Sequence, residues 1–262
     1  MTLRDAISLA LDAGDLPLRP HRPPTTGSVA LVGGRPGDPD LITTRGRRLL
    51  AEADVVLVDR LAPRALLDEL DPSVVVIDVG KTAGHHPLPQ EEINRLLVEH
   101  STAGQRVVRL KGGDPFLLGR GGEEALACLA ANVPVEVVPG VTSAVAVPAA
   151  AGIPVTHRGL ARQVTIASGH EGLDWASLAR LDGTLVLLMG VSTLGAASAA
   201  LIQHGKPAST PAAVIESGFT DRQRTTTGTL ATIADLAHAV QPPAVVVIGD
   251  VVAVAAQLRQ QV

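Results

Sequence analysis

The chain has 262 residues, 46% of them hydrophobic, and a formal net charge of −4. That composition excludes a disordered chain and a global basic field for nucleic acid, so an anionic ligand would need a local cluster of Arg and Lys. Aromatics amount to only 1% and Tyr is absent, so a core must be built from small aliphatic side chains, which suits parallel strands covered by helices.

Residues 1–27 read as an extension or linker. A short helix is expected over 5–12, followed by four prolines within residues 17–24, a composition that extends and packs poorly. An apolar strand over 29–32 then runs into the turn Gly33-Gly34-Arg35-Pro36-Gly37-Asp38-Pro39, and a helix follows to about residue 53. The spacing G-x-G-x-x-G is not satisfied, and two prolines remove amides that a phosphate cradle needs, so NAD binding is excluded at this loop. Strands are expected over 54–58 and 74–79, a helix from Pro89 that stops near Gly104, a strand over 107–110, a helix over 122–131 and a strand over 135–138. These apolar strands, alternating with helices, make a parallel sheet with right-handed crossovers.

From about residue 153 the texture changes. Strands are expected over 164–167, 185–189, 212–215, 224–227 and 244–248, the third and fourth forming an antiparallel pair, with helices over 194–203, 230–239 and 251–260. The fold class is therefore α/β, with an N-terminal domain over 28–152 around a parallel sheet and a C-terminal domain over 153–262 around a mixed one. No apolar run has the length of a membrane span and the first residues do not read as a signal peptide, so a cytoplasmic protein is expected.

Several strand ends carry polar or glycine-rich signatures: Asp59-Arg60, Lys81, Gly112-Gly113-Asp114, Thr142-Ser143 and Met189-Gly190. The carboxyl ends of parallel strands point to one edge, where ligands bind in open α/β sheets. The adjacent glycines let a ligand lie on the backbone, and Pro115 stops the strand. The pair His85-His86 lacks further ligands at metal spacing, so no metal site is expected. Ser143 lacks the glycine pattern of a hydrolase nucleophile. Cys128, the single cysteine, sits in an apolar run and is read as inert packing.

Longer motifs carry a resemblance. They are PGDPDL at 36–41, DVVLVDRL at 54–61, PQEEIN at 89–94, VVRLKGGDPFLLGRGGEE at 107–124, VPGVTSA at 138–144, AGIPVTHRG at 151–159, LLMGV at 187–191 and PPAVVVIGDVV at 242–252. In these motifs the chain resembles the tetrapyrrole methyltransferases, and within them the branch acting on uroporphyrinogen III. The resemblance implies two α/β domains with S-adenosylmethionine in the cleft between them, a homodimer, and methylation of uroporphyrinogen III at carbons 2 and 7 to give precorrin-2 via precorrin-1. It implies a cofactor pocket lined by Pro36, Gly112, Gly113, Asp114, Leu117, Thr142, Ser143, Met189, Gly218 and Ala244, with Asp59 as proton acceptor and Lys81 as proton donor. Because the substrate carries eight carboxylates, Arg60, Lys111 and Arg120 are candidates for holding them. Two positions depart from the family pattern: Arg35 stands where glycine is usual, and Val58 where tyrosine is usual. A relative acting on a later corrinoid, and a non-catalytic S-adenosylmethionine-binding protein, are the alternatives.

Overall fold

The computed structural model describes residues 26–34, 36–80, 88–170 and 172–259. The expected helix over 5–12, the proline-rich stretch, Arg35, Lys81 and the pair His85-His86 lie outside the described residues.

The first sheet is wholly parallel, with the order β3-β2-β4-β1-β5. Its strands are β1 (Ser28–Gly33), β2 (Val55–Val58), β3 (Val75–Asp78), β4 (Arg106–Lys111) and β5 (Val135–Val138). The connecting helices are α1 (Thr44–Glu52), α2 (Gln90–Thr102), α3 (Gly121–Ala130) and α4 (Ser143–Ala150). Thr43 caps α1 by accepting from the Gly46 amide at 3.1 Å, the usual N-cap arrangement.

Side-chain alternation splits the inner strands between two cores. Ala30, Val32, Val56, Val58, Val108 and Leu110 pack with Leu50 of α1. Val29, Leu31, Val55, Leu57 and Val107 face Ile93 and Leu97 of α2 and Cys128 of α3. The second parity of β4 continues through Arg109 and Lys111, so two charged side chains are aimed into the layer between the sheet and α2/α3.

The second sheet is mixed, with the order β6-β7-β10-β8-β9. Its strands are β6 (Val164–Ser168), β7 (Thr184–Leu188), β8 (Pro211–Glu216), β9 (Arg224–Thr229) and β10 (Ala244–Ile248). Strands β6 and β7 are parallel, and the other pairings are antiparallel, including the expected β8–β9 pair. Helices α5 (Trp175–Arg180), α6 (Leu194–Gln203) and α7 (Ile233–Leu236) precede a 3-10 turn over Asp250–Ala253 and α8 (Val254–Arg259). One face packs Leu185, Leu187, Ala212, Val214, Val246 and Ile248 against Leu194, Ala197 and Leu201 of α6.

The opposite face of this sheet is covered by α4. Ala144 and Val147 pack with Val186, Leu188, Ala213, Ile215, Val245 and Val247, so α4 follows the first sheet in the chain but belongs to the core of the second. Two expected helices are shorter than their patterns suggest: α7 covers four residues of 230–239, and 251–260 begins as a 3-10 turn.

Candidate functional site

At the carboxyl edge of the first sheet, three strand exits touch through backbone alone. A methyl group added at Gly33 would collide with the Cα of Gly140, and one added at Gly140 would collide with the Gly113 carbonyl. The exits of β1, β4 and β5 therefore close to a separation no side chain permits. Gly113 itself has φ 73°. An added methyl there would stand 3.6 Å from the Ser143 amide nitrogen and 3.8 Å from the Thr142 Cα, so the slot between this loop and the start of α4 is about one methyl group wide.

Asp114 shapes the loop. One carboxylate oxygen accepts from the Phe116 and Leu117 amides at 2.9 and 3.2 Å, and the other from the Gly140 amide at 3.1 Å. Such charge-assisted bonds are stronger than neutral ones, and they tie the β4 exit to the β5 exit. Leu117 then reaches across to the core formed by α4 and the second sheet, and Thr142 caps α4 by accepting from the Ala144 amide.

The second sheet brings three expected residues to one of its edges. Val245 pairs antiparallel with Leu188, so Ala244 stands beside Met189, and Ala244 itself pairs with Glu216 just before Ser217-Gly218. Met189, Ser217 and Phe219 are non-glycine residues with φ of 57°, 51° and 63°. Such strained conformations cluster where backbone is shaped around a ligand. Gly218 lies against Val147 of α4, and a methyl on Gly37 would meet the Gly218 carbonyl and Phe219. The loop after β1, which carries Pro36, thus touches the loop after β8, and the two edges meet there.

Asp59 follows β2 on the same edge, its amide bonded to the Leu110 carbonyl at 3.1 Å. Its side chain is 30% exposed and ion-paired with the Arg109 guanidinium. Arg60 is exposed next to it, and Arg120 is exposed and bound to Glu123 at 2.7 Å, which raises its pKa.

Lys111 does not fit the role of a substrate anchor. It is 2% exposed and its Nζ donates to Glu124 Oε2 at 2.8 Å, because strand alternation turns it under the sheet rather than out at its edge. Burial, and then the Arg109 charge, push its pKa down. Two residues that bear on the site had no assigned role in the sequence: Arg109, 2% exposed, and Glu124, fully buried. The available signal was alternation itself, since Val107, Arg109 and Lys111 share a face of an otherwise apolar strand.

Comparison with known proteins identifies the family. Residues 28–234 match the family described as Tetrapyrrole (Corrin/Porphyrin) Methylases. An S-adenosyl-L-methionine-dependent uroporphyrinogen III methyltransferase of Methanosarcina barkeri is 52% identical over 235 residues, 86% of this chain and 92% of the relative. Siroheme synthase 1 of Serratia proteamaculans is 50% identical, covering 87% of this chain but 49% of the synthase, so the chain spans about half of that longer protein. The structure of Uroporphyrin-III C-methyl transferase from Thermus thermophilus complexed with S-adenyl homocysteine superposes with a TM-score of 0.77 at 44% identity, covering 87% of this chain and all of that one. The chain belongs to the tetrapyrrole methylases, and its two α/β domains have their fold.

Proposed function

We propose that this protein transfers methyl groups from S-adenosylmethionine to carbons 2 and 7 of uroporphyrinogen III, giving precorrin-2 by way of precorrin-1. The observation that carries the reading is a partly exposed carboxylate, Asp59, beside a glycine-lined slot. It occurs in a chain that is 52% identical to the methanogen methyltransferase over nearly all of that relative.

The slot fits the cofactor. Gly113 offers backbone without a Cβ atom, while the space beside Gly112 is taken by Leu61. Thr142 and Ser143 form the opposite wall, and we assign Gly112, Pro36, Leu117, Met189, Gly218 and Ala244 to the lining around it. When bound, S-adenosylmethionine supplies a methyl group activated on a sulfonium. Asp114 acts through the loop it holds, since both of its oxygens already accept backbone amides. Positioning of the two reactants contributes most of the rate in such a transfer.

The attacked pyrrole ring becomes cationic and must then lose a proton. Asp59 is the residue we assign to stabilise that charge and accept the proton, and Arg109 holds its carboxylate in one orientation. Lys81, outside the described residues, is assigned as the proton donor. Exposed Arg60 and Arg120 remain the candidates for the substrate carboxylates, with Lys111 withdrawn from that role.

We further read the protein as a cytoplasmic homodimer whose described chain, beginning after the extension expected to end near residue 27, divides between β5 and α4 rather than at the expected residue 152, because α4 packs in the second core. Exposed Val75 and Val76 on edge strand β3, with Leu126 and Leu129 on α3, are apolar surface of the kind a second copy covers. Among the described residues no helix is long and apolar enough to cross a membrane. The decisive test is anaerobic incubation with uroporphyrinogen III and S-adenosylmethionine, followed by mass spectrometry of the tetrapyrrole. A gain of two methyl groups supports the reading. No gain, with S-adenosylhomocysteine still bound tightly, moves the assignment to a later corrinoid.

A further inference from the structure

Helix α3 starts after Arg120, and its first turns place Glu124 and Cys128 four residues apart on the face against the sheet. Both are fully buried. A buried carboxylate needs compensating partners, and Glu124 has them. Arg109 Nε donates to its Oε1 at 2.8 Å, Lys111 Nζ to its Oε2 at 2.8 Å, and Gln90 Nε2 lies 3.4 Å from Oε1. Gln90 is itself fixed by donating to Asn94 Oδ1 at 3.0 Å.

Arg109 divides its guanidinium between two carboxylates: Nε goes to Glu124, and Nη2 goes to Asp59 at the cleft. The result is a chain of charges, Lys111–Glu124–Arg109–Asp59, in which three members are sealed under the sheet and only the last opens to a ligand. Two cations face two anions, so the cluster is neutral.

We propose that Glu124 is a positioning residue for Asp59. It clamps Arg109 from behind, and together with Lys111 it sets the charge balance that fixes the affinity of Asp59 for a proton. The inference rests on the reading of Asp59 as proton acceptor.

The coupling is visible in the cations. Burial opposes the charge on Arg109, but Asp59 and then Glu124 hold it firmly protonated. Burial and Arg109 lower the pKa of Lys111, while Glu124 and Asp59 act in the opposite sense, so Lys111 and Asp59 feel each other. The other groups around the cluster are Cys128 on α3, Glu91 and Glu123 near Arg120, Arg60 beside Asp59, and the Arg64–Asp78 ion pair at the end of β3. Buried Gln90 and partly buried Asn94 of α2 carry no charge.

The test is to titrate the Asp59 carboxyl by carbon-13 NMR in aspartate-labelled protein, its signal assigned by loss in Asp59→Asn. Four proteins are compared: wild type, Glu124→Gln, Lys111→Met and the double variant. Removing the anion should lower the Asp59 pKa by about one unit and removing the cation should raise it by about as much. The double variant, neutral again, should return close to wild type. The acid limb of the methyl-transfer rate should move in the same order. Identical Asp59 titrations in all four, with only thermal stability reduced, would overturn the proposal and leave Glu124 as a structural ion partner. If Glu124→Gln does not fold, Lys111→Met still gives a signed shift or none. Because the titration needs no substrate, an inactive wild type would sink the functional reading while leaving the charge coupling separately decided.

Discussion

The Arg109 guanidinium is ion-paired with Asp59 although Arg109 belongs to the buried face of β4 and Asp59 to the loop after β2. A residue only 2% exposed thus governs the orientation of one that is 30% exposed. The β2–β4 register makes this possible, since Val58 pairs with Leu110 and places Asp59 one residue past the pairing.

Replacing Asp59 by Asn keeps the shape of the side chain but removes the proton acceptor. Turnover should fall by at least about a hundredfold, the usual worth of a positioned general base. The affinity for S-adenosylhomocysteine, measured by calorimetry, should stay within about twofold. Equal losses in both would count against a catalytic role.

The slot at Gly113 admits about one methyl group, and its φ of 73° is hostile to branched side chains. Gly113→Val should abolish detectable S-adenosylhomocysteine binding while circular dichroism keeps the α/β signature. Unchanged affinity would remove the cofactor from this slot.

Asp114 holds three amides from two loops. Asp114→Ala should cost about 2 kcal/mol, which lowers Tm by about 4–8 °C in a chain of this size. It should also weaken S-adenosylhomocysteine binding, because the β4 exit is no longer tied to β5. A Tm within a degree of wild type would mean that the loop is held by other contacts.

Burial, with a further contribution from Glu124, pushes the Cys128 thiol up to about 11. At pH 8 only about one thiol in a thousand is then ionised, so native protein should resist alkylation by iodoacetamide that labels the unfolded chain readily. The sign for stability follows from a raised folded pKa. The protonated thiol favours the folded state below pH 9, and that contribution fades as pH rises through 11. Rapid labelling of native protein at pH 8 would contradict the burial.

The apolar strands were legible because strands buried on both faces read as continuous Val, Leu and Ala, as in residues 29–32 and 55–58. The converging edge was legible too, since parallel strands with glycine exits admit few other arrangements. Helix α4 was not: Val145, Val147 and an internal Pro148 disguise it, and the second sheet, far along the chain, supplies the packing that holds it. Lys111 was misread for a related reason. At the end of a strand a lysine looks solvated, and only the position of α3 and Glu124 turns it into a buried partner.

The placement of α4 also says where this protein can be dissected. A cut after residue 152 follows the chain but strips the second sheet's cover of Ala144 and Val147 from the fragment that needs it. A cut in the short stretch between β5 and α4 would leave each sheet with its own lid. The two fragments would still meet through the Gly33, Gly113 and Gly140 exits and the α4 start, so complementation by co-expression would rebuild the cleft from halves that each keep a closed core.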